Sequence, residues 1–428
     1  MNNNIILLEK SKIFIGIDLS KGFHVVKAID INGKLVGEIS RLENHYSDFH
    51  NFKSWVMNLL SKCNVESAII GMEPTGIYWQ DITSYIITNM PECEAVFVSQ
   101  RKVIVAREFY GNGKGKNDFI DALAIARCVK DNNYFYINPQ SSEFSSLKAL
   151  SRYRDDCLKR QSYIHNKLDN FIGSIFCDYK KVFSEWSSRS LVTIMSKYTL
   201  PEDILEASEE ELLKQLRTRV SSGVGLKKIR QLQAVAKEYL ENYTENVYLA
   251  NKEDLRFIIQ EYLNEYLIVQ DKIDTINEKL NSLVSKIEGV DNILEIEGIG
   301  EVTVAALFSE VGDINRFSTS KQLISYIGFD LKECSSGAHK GKMKISKCGN
   351  RKLRNILFKV SLPLVLQNPY FKMYYQYLTT RTENPLKKMQ ALIAVCCKLI
   401  RCIHGMMKHK SKFDGSKIIQ CIPCMKAA

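Results

Sequence analysis

Four carboxylates in the first third of the chain are of a type and spacing that could do chemistry. Asp18 closes the apolar run KIFIGIDLS, and Glu73 stands two residues past a second apolar run that finishes at Gly71. A carboxylate at the end of a buried strand is costly unless something positive sits against it. Asp118 and Asp121 are three apart at the start of a helical stretch, so both leave it from one face. Two strand ends and one helix turn delivering four acids could hold two Mg²⁺ ions. Such a pair stabilises both the attacking and the leaving oxygen of a phosphoryl transfer. Each acid also has a plainer reading: Asp18 starts a turn, Glu73 caps the helix after Pro74, Asp118 is an N-cap and Asp121 favours the helix dipole. Gathered on one sheet, the four together favour the metal site.

A second constellation lies far downstream. Cys334-Ser335-Ser336-Gly337 is followed by AHKGKMKISKCGNRKLR, and between Lys332 and Lys359 there are nine Lys and Arg and one acid, Glu333. A serine beside glycine in such a loop could attack a phosphodiester, with the neighbouring cations stabilising the developing charge. On the residues alone, a solvated loop whose serines satisfy turns is the better account. Lys340, Lys342, Lys344 and Lys347 in the loop suit phosphate, as do Asn350, Arg351, Lys352 and Arg354 at the opening of the next helix. Upstream, Ile296-Glu297-Gly298-Ile299-Gly300 resembles a helix-hairpin-helix turn, where Gly298 and Gly300 would let backbone N–H groups approach a phosphate. Plain helix termination also explains those glycines.

The elements that must position these residues follow from patterning. Residues 12–39 read as three short strands, with Asn32-Gly33 as a hairpin turn between the second and third. A helix from about Tyr46 to Leu60, a strand over Val65–Gly71, a helix ending near Asn89 and a strand over Glu94–Ser99 come next. A three-strand meander followed by alternating helices and strands is the order of a ribonuclease-H-like sheet. GNGKGKN at 111–117 is a mobile basic loop lacking the Gly-Lys-Ser/Thr of a phosphate loop, and a helix runs from near Asn117 to about Asp131. From 143 to 288 the pattern is helical. Leu255, Ile259, Tyr262, Tyr266, Val269, Ile273, Ile276, Leu280, Leu283 and Ile287 alternate steps of four and three, which specifies a coiled-coil seam for dimerisation or spacing. Leu147, Leu150, Leu158, Ile164, Leu168 and Ile172 form a less regular stripe that could pair with it antiparallel, or with another subunit.

Length and composition bound the answer. At 428 residues the chain exceeds one ordinary core. The expected division is 1–142 as an α/β catalytic domain, 143–288 as a helical, coiled-coil region and 289–428 as a basic, mainly α domain. The net charge of +11 is uneven: from Gly289 onward there are 22 Lys and Arg against 10 Asp and Glu, whereas the first 288 residues hold 37 and 38. A concentrated positive field of that kind suits a polyanion such as double-stranded DNA. The twelve cysteines are scattered and read as reduced; Cys421 and Cys424 are a pair without a partner pair, so no zinc site is expected. No transmembrane helix and no signal peptide are read, which points to the cytoplasm.

Four segments together carry a resemblance. GIDLSK at 16–21, GMEPTGIYW at 71–79, KNDFIDALAIA at 116–126 and SSG…ISKCGNRKLR resemble, in that order, the motifs of the insertion-sequence (IS) one-ten family of DEDD transposases. The resemblance implies a RuvC-like N-terminal domain whose acids are Asp18, Glu73, Asp118 and Asp121. It implies a C-terminal transposase domain whose serine attacks DNA and forms a covalent phosphoserine, and a non-coding bridge RNA that pairs with donor and target. Counting back from Ile345-Ser346-Lys347, Ser336 fits the nucleophile, with Ser335 its neighbour. Cys348 departs from the pattern, where a basic residue is common. The activity so implied is Mg²⁺-dependent cleavage and exchange of DNA strands in a homo-oligomer held through the coiled coil. A RuvC-like junction nuclease using water, a non-catalytic DNA-bridging protein and a ribonuclease-H-like ATPase are the alternatives. The ATPase lacks its Gly-Thr and second glycine-rich turn here.

Overall fold

A computed structural model describes residues 12–110, 117–137, 139, 141–221, 224–242, 251–332, 335–336, 339–340, 343–420 and 422. Residues 111–116 of the basic loop, Lys342 and the Cys421 and Cys424 pair lie outside the described residues. The chain divides into two compact units, Met1–Pro139 and Gln140–Ala428.

The first unit is an α/β sheet. Its elements are β1 (Lys12–Asp18), β2 (Phe23–Ile29), β3 (Leu35–Glu43), α1 (Tyr46–Cys63), β4 (Ser67–Met72), α2 (Trp79–Asn89), β5 (Cys93–Phe97), α3 (Gln100–Tyr110), α4 (Asp118–Lys130) and β6 (Phe135–Tyr136). The sheet order is β3-β2-β1-β4-β5-β6. The first three strands are antiparallel, β4 and β5 run parallel to β1, and β6 returns antiparallel. That is the ribonuclease-H-like arrangement the patterning predicts.

Alternation along β1 sorts the two faces of this sheet. Ile13, Ile15 and Ile17 pack with Phe49, Phe52 and Val56 of α1 and with Ile82 and Ile86 of α2. Phe14 faces the other way, with Ile69, Val96 and the helices α3 and α4. Gly16 and Gly71 are register partners across β1 and β4. A Cβ on Gly16 would stand 2.1 Å from the Ala122 carbonyl oxygen and 2.4 Å from the Ala126 nitrogen, and one on Gly71 would meet Val129 at 2.2 Å. Two glycines side by side thus form the seat into which α4 settles. Burial of Ile125 and Val129 there contributes about 1.5–3 kcal/mol each.

The second unit is mainly helical. It comprises α5 (Ser142–Ile175), α6 (Arg189–Met195), α7 (Pro201–Glu206), α8 (Glu209–Arg217), α9 (Leu226–Asn242), α10 (Lys252–Val284), α11 (Val290–Leu294), α12 (Glu301–Val311) and α13 (Ser320–Ile327). Four two-residue strands follow, β7 (Leu331–Lys332), β8 (Ser335–Ser336), β9 (His339–Lys340) and β10 (Lys344–Ile345). The chain ends in α14 (Arg351–Gln367), α15 (Pro369–Thr380), α16 (Lys388–His409) and α17 (Ser416–Ile419).

The long helices α5 and α10 lie antiparallel: Arg154 bonds Asn277, Arg160 bonds Glu265, and Phe171 stacks on Tyr262, one index rising as the other falls. The buried stripe of α10 is Leu255, Ile259, Leu263, Leu267, Val269, Ile273, Ile276, Leu280 and Val284. Tyr262 and Tyr266, expected in the seam, sit at its border, with Leu263 and Leu267 inside it. The heptad stripe is buried against α5 of the same chain. Residues 143–288 and 289–428 share one core, running from Leu147 to Ile418. Among the described residues α16 alone is long and apolar enough to cross a membrane, and Val395, Leu399, Ile400 and Ile403 place its apolar face in that core.

Candidate active site

Three elements of the first unit bring the predicted acids to one end of the sheet. Ile17 and Met72 are the last register pair of β1 and β4, so Asp18 and Glu73 stand at equivalent positions on adjacent parallel strands. Each lies two residues beyond a glycine of the α4 seat and continues that face. Helix α4 runs antiparallel to β1: Ala122 and Ala126 lie over Gly16, while Lys130 at its other end reaches Gly33 in the β2–β3 turn. Its acidic first turn, Asp118 and Asp121, is therefore carried to the Asp18 and Glu73 end of the strands.

The plainer readings of two acids do not hold. The N-cap of α4 is Asn117, whose side chain accepts from the Phe119 N–H at 3.0 Å, which leaves Asp118 exposed in the first turn. Helix α2 begins at Trp79, so Glu73 does not cap it. Instead Glu73 accepts from the Thr75 hydroxyl at 2.9 Å. Asp121 is 6 % exposed and accepts from Nη1 of Arg107, on α3, at 2.9 and 3.0 Å. Beyond Asp18 the chain turns through Ser20, whose N–H donates to His24 Nδ1 at 3.3 Å. Burial holds the His24 imidazole below its ordinary pKa, so a neutral ring closes that turn.

In the second unit the serines lie on a short arm. Its stem is the antiparallel pair β7 and β10, and beyond it Ser335 and Ser336 pair with Lys340 and His339. The stem is tied down at its return: Ser346 N–H donates to Asp330 O, Lys347 N–H to Gly328 O and Asn350 N–H to Tyr326 O. Lys347 takes a positive φ of 54° there. The Asn350 side chain is occupied at both ends. Its oxygen caps α14 by accepting from Leu353, and its amide donates to buried Glu310 at 2.8 Å. Arg354 donates to the Ile327 carbonyl at 2.7 Å, which ties α14 to the end of α13. Of the predicted phosphate contacts, Lys344, Lys347, Arg351 and Lys352 are exposed. Gly298, at φ 93°, backs onto Pro363 and Leu364 of α14, where a Cβ would stand 3.0 Å from Leu364 Cα, whereas Gly300 faces open space at the start of α12.

Two family models match the chain. Residues 15–177 match the DEDD transposase of IS110 elements, and residues 290–376 match the transposase IS116/IS110/IS902 family. Together they span more than half of the chain. The chain belongs to the IS110 family of transposases. The protein of insertion element IS116 from Streptomyces clavuligerus is 21 % identical over 94 % of this transposase and 96 % of its own length. The transposase of IS1111A from Coxiella burnetii is 32 % identical over 56 % of this chain and 53 % of its own. The pilin gene-inverting protein of Moraxella bovis is 32 % identical over 28 % of this chain and 37 % of its own.

As a DEDD transposase the chain is an enzyme of DNA strand cleavage and joining, in a family that uses a divalent metal ion. The donor set fits such an ion. Carboxylate oxygens suit hard divalent cations, and Asp121 is a buried charge that needs a cation, which Arg107 supplies here. Among the described residues no three His, Cys, Asp or Glu close into a group able to hold a metal ion. Asp121 is turned onto Arg107 and Glu73 onto Thr75. Sequence reasoning missed Arg107 and Glu310. An arginine fourteen residues before its acid, across a turn, leaves no periodic signal, and Glu310 looks like any helical glutamate until Asn350 is found against it.

Proposed function

We propose that this transposase cleaves and rejoins double-stranded DNA at the ends of its element and at a target by serine attack. The Ser336 hydroxyl forms an oxygen–phosphorus bond as the phosphorus–oxygen bond to the departing strand breaks, and the sugar oxygen leaves with a proton. A sugar hydroxyl of another strand reverses the step, which releases the serine and joins the exchanged strands. Asp18, Glu73, Asp118 and Asp121 would hold Mg²⁺, which when bound lowers the cost of the charge that develops on the phosphate. Lys340, Lys342, Lys344, Lys347, Arg351 and Lys352 bind phosphates, while Asn350 and Arg354 fix the helix that presents Arg351 and Lys352. Gly300 leaves its backbone open to a phosphate. A non-coding bridge RNA pairs with donor and target, the working form is a homo-oligomer, and the reaction takes place in the cytoplasm.

The observation that carries this reading is the convergence of two strand ends and one acidic helix turn at one end of a ribonuclease-H-like sheet. A water-using RuvC-like nuclease would need the same acids and no serine. The test is a covalent-adduct assay on the DNA flanking the gene, with its small transcripts and Mg²⁺. Wild type and Ser335→Ala should form a protein–DNA adduct, and Ser336→Ala and Asp18→Asn should lose it by about 10²-fold or more. Loss only in Ser335→Ala moves the nucleophile by one residue. Cleaved DNA without an adduct retires the serine and leaves a nuclease.

A further inference from the structure

Beside the serine arm lies a large cleft of which only Lys344 and Lys347 enter the reading above. It encloses about 1450 Å³ between the arm's stem, helix α16 and the turn from α15 into α16. Its rim carries Lys321, Lys344, Lys347, Arg381 and Arg401 against one acid, Asp330. None of the five cations is ion-paired among the described residues; Arg381 spends one N–H on the Asn384 carbonyl at 2.9 Å. The walls are apolar and aromatic, with Phe329, Tyr374, Ile393 and Ala394. At the mouth Leu331 and Met343 are 60 % and 57 % exposed. The matched family region ends at residue 376, so Arg381, Arg401 and the α16 wall lie outside it.

We propose that this cleft binds an unpaired DNA strand and leads it to the serine arm. Unpaired cations over an apolar wall ask for a polyanion that also offers apolar faces. Duplex DNA hides its base faces in the stack and so offers nothing to the apolar wall. A single strand presents phosphates and base faces together, which is how a basic groove with aromatic platforms holds it. The stem strands that form one wall run on to Ser335 and Ser336. From Lys332 to Ser336 is four residues, at most about 14 Å of extended chain, so a strand lying in the cleft has phosphates within reach of the arm.

This inference takes DNA as the substrate from the proposed function, but binding is read without cleavage, so the two fail separately. The probes are a labelled thymidine oligonucleotide, its uridine RNA counterpart and a DNA duplex of the same length, titrated with the full chain by fluorescence anisotropy. Arg381→Ala with Arg401→Ala is compared with Lys227→Ala and Lys237→Ala on α9, which removes the same charge elsewhere. The cleft pair should weaken single-strand binding by about tenfold and lower its salt slope by about 1.4, at roughly 0.7 per phosphate contact. It should change duplex binding less than about threefold, with an unchanged melting temperature. A milder pair, Lys321→Gln with Arg401→Gln, repeats the comparison if the first does not fold. Equal losses for single strand and duplex, or equal losses in the α9 pair, overturn the proposal, and preference for the RNA by more than tenfold overturns the choice of DNA. A chain that holds the single strand through these arginines yet forms no serine adduct removes the phosphoserine reading and leaves the cleft.

Discussion

Asp121 shows how a single buried charge is kept tolerable. Nη1 of Arg107 lies almost equally far from both carboxylate oxygens, at 2.9 and 3.0 Å, so one guanidinium nitrogen serves the whole carboxylate. The guanidinium is 21 % exposed against 9 % for the Asp121 side chain, so the pair is well shielded from solvent. Removing one partner leaves a buried charge alone, which costs about 3 kcal/mol. Arg107→Gln should therefore lower the melting temperature in chelator and recover most of the loss when Mn²⁺ is added, because an ion then replaces the missing cation. Thermal melts with and without Mn²⁺ check this. If Arg107→Gln proves as stable as wild type in chelator, the pair contributes nothing to the fold. A variant destabilised equally with and without Mn²⁺ would remove Asp121 from the metal-binding set.

At the scale of elements, the acids are only as well placed as α4, and α4 is placed by two glycines. A methyl at Gly16 meets helix backbone, which cannot give way, whereas at Gly71 it meets the Val129 side chain. Gly16→Ala should destabilise by about 3 kcal/mol and Gly71→Ala by less, since overpacking costs about 1–3 kcal/mol and depends on what can yield. Val129→Ala should rescue much of Gly71→Ala and none of Gly16→Ala. Urea unfolding of the five variants measures this, and a rescue of both or of neither would refute the account of the seat. The strands around this seat were legible because β1, β2 and β4 carry apolar runs cut by sharp turns. Helix α3 was not: QRKVIVAREFY presents only Val103 and Ala106 to the core, too few to set a period. In α10 the heptad reading found the helix, but Leu263 and Leu267 displaced Tyr262 and Tyr266 from the seam. Packing on α5 and its neighbours widens the buried face beyond a two-helix stripe. That the four acids gather at one end of the sheet was legible from strand ends and helix spacing. The arm's tie through Asn350 to Glu310 spans forty residues and exists only in the folded chain.

For the whole molecule, the division of labour follows the division of the core. The two core clusters that span Ile13 to Val129 lie inside the first unit, and the cluster that runs from Leu147 to Ile418 lies inside the second. The proposed metal acids lie in the first, while the basic excess, the serines and the cleft lie in the second. Units with separate cores can unfold separately, and a ligand stabilises only the unit that binds it. Scanning calorimetry of the full chain should thus show two transitions. Mn²⁺ at a hundred times its dissociation constant should add about 2.7 kcal/mol to one of them alone. The transition that does not move should reappear in a fragment of residues 140–428, which should also retain single-strand binding and its salt dependence while forming no adduct. A single cooperative transition would mean that the units are coupled strongly enough to fold as one. Displacement of both transitions by Mn²⁺ would place a cation site in the helical unit as well, and with it a metal role that the four acids do not account for.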